Sequence, residues 1–364
     1  MIDLRSRRQK EAENAWNFNK KSIINSCPRF GKILTSINIM EYNQYQKILI
    51  VIPRLDIKES WENDFIKWKL KPPVVEYVTY KSAKKFKSWQ GDLLILDEIQ
   101  EASWAELKEL SSIVDNNNTL GLSGTITKKT ENRILELLGI GICYKYSIKQ
   151  GVEEKILVDY NINIHLVNLD NKKPVYNSKY GLITESKKFQ QLMYVKNKLL
   201  EEDKPTHFID LKCIQLLQNS IAKQEYTKKL LDLYKEQRVL VFCGTTKIAD
   251  SLDIPVYHSK AKEKKILQDF CEGEGLNLAT IKMAQSGLTI KPINRGVVNY
   301  TSGNPEDTAQ KICRFLGIEY NNLDKKAEID IICSNTAFEK ERLKTGLSFF
   351  DENKIKYITN ESNI

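Results

Sequence analysis

The stretch that most constrains this chain is Asp92–Gln100, DLLILDEIQ, where an unbroken aliphatic run meets two acids. Leu93–Leu96 is too short and too apolar for an amphipathic helix, and such a run fits a central parallel strand covered on both faces. Ligands of open parallel sheets gather at the C-terminal strand ends, so Asp97 and Glu98 are expected where chemistry happens. There, Asp97 would hold a Mg²⁺ against nucleotide phosphates, directly or through water, and Glu98 would polarise an attacking water. Taken alone, the stretch is served equally well by a strand that ends in a solvated acidic turn.

The same kind of run recurs. Lys21–Ser26, Lys47–Ile52, Val74–Tyr80 and Thr119–Thr125 read as strands, as do Arg238–Cys243 and Leu276–Ile281 later in the chain. Helical spacing lies between them: Glu11–Asn19, then Leu55–Trp68 with Ile57, Trp61, Phe65 and Trp68 on one stripe, then Trp104 to Val114, broken at Asn116–Asn118. Alternation of this kind builds α/β doubly wound parallel sheets. A length of 364 residues, 41% of them hydrophobic, argues for two domains. The division is expected as 1–150 and 151–364, the second containing a helical segment at about 185–236, read as the long helices Glu185–Glu202 and Phe208–Lys235.

After the first strand comes CPRFGKILTSINIM, in which Gly31 and Lys32 precede a helix-like segment. Strand, Gly-Lys loop and helix form a phosphate cradle, with backbone N–H groups facing the phosphates and the lysine reaching the outer ones. Against the pattern GxxxxGK[ST], Ser26 replaces the first glycine and Ile33 the hydroxyl residue. Thr35 would point roughly 200° around the helix from that position, so it is a poor substitute.

The net charge of +9 and pI near 8.9 favour a polyanionic partner. Seven scattered cysteines with no CxxC pair, and only three histidines, argue for reduced cytosolic thiols and against a zinc site. The start MIDLRSRRQKEAE lacks a signal-peptide core and no run approaches membrane-spanning length, so a soluble cytoplasmic protein with no membrane partner is expected. His165, inside a strand-like NINIHLVNL, reads as structural.

In order and interval, Gln9, PRFGK, IVIPR, VTY, ILDEIQ and LSGT resemble the first core domain of superfamily 2 helicases, closest to the compact DNA helicases of phages and restriction systems. VLVFCGTT, YHSK, NLATIKMAQSGLTI and QKICR resemble the motifs of the second core domain. The resemblance covers residues 1 to roughly 320 and implies two tandem RecA-like domains with a nucleotide cleft between them, ATP and Mg²⁺ as cofactors, and nucleic acid, with DNA favoured, as partner. It assigns Lys32, Asp97, Glu98, Gln100 and Arg314 to catalysis, with Asp97 also the metal ligand. Gln9, Arg29, Phe30, Gly31, Lys32, Ile33, Gly287 and Gln310 fall to the nucleotide. Arg54, Thr79, Tyr80, Lys81, Thr245 and His258 fall to the strand, and Ser123, Gly124 and Thr125 to coupling.

Departures from the family pattern are Ile33, Thr289 where an aspartate is common, and Cys313 and Gly317 in place of the glycine and second arginine of QxxGRxxR. A lost arginine finger is worth 10³ to 10⁵ in rate, so a slow ATPase, or one completed by a protein partner that supplies an arginine or specificity, is compatible with the sequence. The leading expectation is an ATP-dependent helicase or translocase. The alternatives are a weakly hydrolysing nucleic-acid binder and a nucleotide-dependent assembly factor.

Overall fold

The computed structural model describes residues 4–69, 74–179, 181–258, 264–281, 291, 293, 295–317 and 325–359. They divide into two compact units, residues 4–158 and the described residues from Asp159 onward.

The first unit contains α1 (Leu4–Asn19), β1 (Lys21–Ser26), α2 (Lys32–Asn43), β2 (Lys47–Ile52), α3 (Ile57–Lys67), β3 (Val74–Thr79) and β4 (Leu93–Leu96). It continues with α4 (Trp104–Asn116), β5 (Asn118–Ser123), α5 (Lys128–Leu138), β6 (Gly141–Tyr146) and α6 (Ile148–Glu153). Its strands form one parallel sheet in the order β3-β2-β4-β5-β1-β6. All four residues of β4 are buried, as its composition demands. Helix α4 starts where Ser103 and Glu106 form a capping box. Helix α1 begins at Leu4, earlier than its apolar spacing suggested, because the pairs Arg7–Glu11, Arg8–Glu11 and Lys10–Glu13 support the extra turns.

The second unit opens with β7 (Asp159–Val167), β8 (Pro174–Ser178), β9 (Gly181–Thr184), α7 (Glu185–Glu201), α8 (His207–Gln218) and α9 (Ile221–Leu233). Then come β10 (Val239–Phe242), α10 (Thr246–Asp250), β11 (Val256–Tyr257), α11 (Lys264–Glu272), β12 (Asn277–Thr280) and β13 (Arg295–Val298). It closes with α12 (Pro305–Ile312), β14 (Lys326–Ser334), α13 (Ala337–Gly346) and β15 (Ile355–Thr359). Its main sheet is also parallel, in the order β11-β12-β10-β13-β14-β7-β15, and β8 and β9 form a separate antiparallel hairpin.

The single helix expected over 208–235 is two. Ser220 accepts a hydrogen bond from the Lys223 N–H and the buried Glu185 carboxylate takes the Ile221 N–H at 3.1 Å, so a new helix is capped where the old one stops. The break lets the two halves pack differently: Tyr226, Leu230 and Leu231 of α9 join the sheet core, while Ile209, Cys213, Leu216 and Leu217 of α8 pack with Phe189 of α7. Among the described residues, no helix is long and apolar enough to cross a membrane.

Candidate nucleotide site

In the first sheet the neighbours β4, β5 and β1 end, respectively, in the acid pair, the Ser-Gly-Thr turn and the phosphate-loop sequence. Parallel neighbours bring their C-terminal ends together, and the side chains meet accordingly. The Lys32 Nζ lies 3.7 Å from Glu98 Oε1, and a Cβ added at Gly124 would lie 3.5 Å from that same Nζ. Gln100 donates from Nε2 to Glu98 Oε2 at 2.6 Å and accepts from the Ser123 hydroxyl at 2.5 Å. Ser123 Oγ in turn accepts from the Thr125 N–H at 3.2 Å. One hydrogen-bond chain therefore runs from the acid pair into the Ser-Gly-Thr turn, with Lys32 at one end.

The loop between β1 and α2 is shaped by left-handed backbone at Arg29 and Gly31, φ 66° and 95°. At Gly31 that φ disfavours any side chain, and a Cβ, 2.3 Å from Gln9 Nε2, would push the Gln9 amide out of its place. Gln9 uses this closeness to donate to the Phe30 carbonyl at 2.8 Å. Phe30 is buried against the rings of Tyr144 and Tyr146. Sequence reading missed what holds Gln9 in place. Arg8, its neighbour on α1, donates to Glu154 at 2.9 Å, and Tyr146 donates to the same carboxylate at 2.8 Å, so α1 is tied to the end of the first unit.

Asp97 is buried and heavily held. Trp61 donates its indole N–H to Oδ2 at 2.9 Å, Tyr80 donates its hydroxyl to the Asp97 main-chain carbonyl at 2.8 Å, and the Asp97 N–H reaches the Val51 carbonyl at 2.9 Å. Burial pushes the carboxyl up to about 7; the Glu98 charge adds to this, while the Trp61 hydrogen bond and the Lys32 charge pull the other way. Glu98 has left-handed backbone, φ 46°, which for a non-glycine residue costs on the order of 1–3 kcal/mol and is characteristic of functional turns. A divalent cation fits here: two acids, one buried, face a single nearby lysine, and the hydroxyls of Ser26 and Thr125 are buried without a partner. Among the described residues no three His, Cys, Asp or Glu side chains cluster, so such an ion would take most of its ligands from phosphate and water, as Mg²⁺ does.

Neither hydroxyl that follows Ile33 is available to that ion. Thr35 donates to the Gly31 carbonyl at 3.2 Å and Ser36 to the Lys32 carbonyl at 2.9 Å, and both are fully buried. Tyr80, expected among the residues touching the strand, is 3% exposed and points to the acid pair instead; a buried hydroxyl spent on a main-chain carbonyl has no reach to a phosphate. Arg54 is half-exposed and pairs with Asp56 at 3.6 Å, Thr79 ends β3, and Lys81 is exposed. In the second unit the Thr245 hydroxyl donates to Asn219 at 2.9 Å and caps α10, and the His258 ring lies 3.0 Å from Asp250. Gln310 sits on α12 and Arg314 in the turn beyond it. Gly287 and Thr289, with the rest of the AQSGLTI loop, lie outside the described residues.

Two α/β units, each with a parallel main sheet, the first bringing a Gly-Lys loop, an acid pair and a hydroxyl turn to the ends of adjacent strands, match the fold of tandem RecA-like helicase structures. Comparisons with known proteins agree with that class. A DNA 3'-5' translocase, XPB2 of Sulfurisphaera tokodaii, is 25% identical over 363 residues, 90% of this chain and 81% of its own. Dbp5 of S. cerevisiae bound to RNA and ADP BeF3 superposes with a TM-score of 0.63 at 12% identity, covering 97% of this chain and 90% of its own. An HsdR-subunit fragment of a type I restriction enzyme from Vibrio vulnificus YJ016 gives 0.61 at 13% identity, over 97% of this chain and 68% of its own. The DNA-bound Type ISP restriction-modification enzyme LlaBIII gives 0.62 at 11% identity, with 99% of this chain matching 31% of that one. No protein-family profile matches the sequence. The likeness read from the motifs of this chain, to superfamily 2 helicases, is in keeping with a DNA translocase relative and with these folds.

Proposed function

We propose that this protein is an ATP-dependent superfamily 2 translocase or helicase that moves along or unwinds nucleic acid, with DNA as the favoured substrate. The observation that carries the proposal is the chain Lys32, Glu98, Gln100, Ser123, since it joins a phosphate-binding lysine to an acid and that acid to a turn able to report on the nucleotide. The basic charge and the DNA 3'-5' translocase relative support the choice of polymer. In this reading Lys32 holds the outer phosphates, Asp97 holds Mg²⁺, and Glu98 orients the attacking water while Gln100 fixes its second oxygen. Gln9, Arg29, Phe30, Gly31 and Ile33 shape the first unit's nucleotide pocket; Gln310 and Arg314 of the second unit, and Gly287, are nucleotide contacts on the strength of the motif resemblance alone. Arg54, Thr79, Lys81, Thr245 and His258 hold the sugar-phosphate backbone, which carries little sequence information, so binding should be salt-sensitive and tolerant of sequence. Ser123, Gly124 and Thr125 link nucleotide state to strand movement.

A second reading, a nucleic-acid binder with weak or no hydrolysis, draws on one observation: the hydroxyls of Thr35 and Ser36 are spent on helix carbonyls, leaving Ile33 without a substitute. One measurement separates the two. ATP hydrolysis is followed without polymer and with single-stranded DNA, duplex DNA and RNA, beside Lys32→Ala. Polymer-stimulated turnover that disappears in Lys32→Ala is expected. Binding without turnover supports the second reading, and turnover indifferent to Lys32→Ala rejects both.

A further inference from the structure

Three polar groups of Asp97 end on three different segments, and each segment leads within a few residues to a candidate strand contact. The Asp97 N–H bonds to Val51 on β2, which runs through Pro53 to Arg54. The carboxylate bonds to Trp61, one turn into α3, and α3 is joined to the Arg54 loop by the hydrogen bond from the Ile57 N–H to the Arg54 carbonyl at 3.2 Å. The carbonyl bonds to Tyr80, which sits in the chain between Thr79 and Lys81. Trp61 and Tyr80 are fully or almost fully buried; packing alone would be met by Phe at position 80 and asks only for a large apolar ring system at position 61. Each instead carries one polar atom, and both of those atoms terminate on the same acid.

We propose that Trp61 and Tyr80 are positioning residues that pass strand contact at the Arg54 and Thr79–Lys81 segments directly to Asp97, so that nucleic acid tightens the Mg²⁺–nucleotide site from below. This rests on the reading of the first unit as a nucleic-acid-responsive nucleotide site. The route differs from the Glu98–Gln100–Ser123 chain, which leaves the acid pair through the other carboxylate. It needs no large motion: a bound phosphate that pulls the ends of β3 and of the Arg54 loop shifts the two donors, Trp61 acting on the Asp97 carboxylate and Tyr80 on the main-chain carbonyl of the same residue.

Buried Trp and Tyr need hydrogen-bond partners for stability alone, so the test must move with coupling and not with folding. Binding of a fluorescent ATP analogue is measured against Mg²⁺ concentration, with and without a saturating single-stranded oligonucleotide, in the wild type, Trp61→Phe and Tyr80→Phe. Tyr77→Phe is the matched control, because Tyr77 lies on β3 three residues before Tyr80 and its buried hydroxyl has no hydrogen-bond partner. In the wild type and the control, the oligonucleotide lowers the half-saturating Mg²⁺ by about fivefold or more. In Trp61→Phe and Tyr80→Phe that shift is lost while oligonucleotide affinity is kept. Tyr80→Phe removes a single oxygen and carries the test if Trp61→Phe does not fold. A wild type whose Mg²⁺ dependence ignores the oligonucleotide, or variants that respond as the wild type does, overturn the relay. Neither result touches the functional reading, which stands or falls on Lys32-dependent hydrolysis.

Discussion

Asp97 in the first unit and Asp330 in the second are both buried acids, one just past the end of a parallel strand and one within such a strand, and they are treated oppositely. Asp97 lies just past the end of β4, beside a second acid, with a neutral indole as its side-chain donor and Lys32 too far for a close pair. Burial therefore wins and its carboxyl is pushed up to about 7. Asp330 lies within β14, where His165 meets Oδ1 at 2.8 Å and Arg295 meets Oδ2 at 2.8 Å. Burial alone would raise it too, but the hydrogen bond from His165 and the charge of Arg295 outweigh burial and leave it below the ordinary carboxylate range. The second acid is closed: the Tyr226 hydroxyl fills the other His165 nitrogen at 2.8 Å, and the Arg295 guanidinium lies on the Tyr234 ring. An acid left short of positive charge is poised to take a cation, whereas a fully compensated one is structure.

The comparison breaks first on turnover. Asp97→Asn should lower polymer-stimulated ATP hydrolysis by about 10²-fold or more, as expected when a group that stabilises developing charge is lost, whereas Asp330→Asn should leave turnover per folded molecule near the wild-type value. If both variants lost activity equally at full folding, the two acids would not differ in kind.

Stability should show the reverse. Removing one partner of the buried Asp330 network should cost about 3 kcal/mol in urea unfolding at neutral pH. Because the Asp330 carboxyl is lowered on folding, its contribution is present above the unfolded value near 4 and is lost as pH falls through the folded value. The gap between wild type and Asp330→Asn should therefore close on acidification.

The smallest effect has the opposite sign. The Asp97 carboxyl is raised on folding, so its contribution is most favourable below the unfolded value near 4 and is lost as pH rises to about 7. Asp97→Asn should accordingly be more stable than the wild type at pH 8, by about 1–3 kcal/mol, with the difference shrinking towards pH 4. An Asn variant less stable than the wild type at pH 8 would show that Asp97 is already compensated in the absence of nucleotide.

The sequence by itself determined the strands that matter most. KILIVI, LLIL and VLVF fit covered parallel strands, because a short aliphatic run without alternation is suited to burial on both faces. The loops that follow β1, β4 and β5 were legible as one site because parallel neighbours deliver their ends to one edge. His165 was read as structural, and it is buried in the Asp330 network. Only the tertiary structure decided the partners. Trp61 looked like one apolar position in a helical stripe, although a buried indole N–H is itself a signal that some acceptor waits nearby. Tyr80 looked like a strand contact and proved to serve Asp97, 17 positions away in the chain. The break at Ser220 depends on Glu185, and the charge on Asp330 depends on a histidine 165 positions earlier. Burial periodicity is a local property of the chain and can be read from it. The partner of a polar group, and with it the difference between an acid that binds and an acid that braces, is set by segments that meet only after folding.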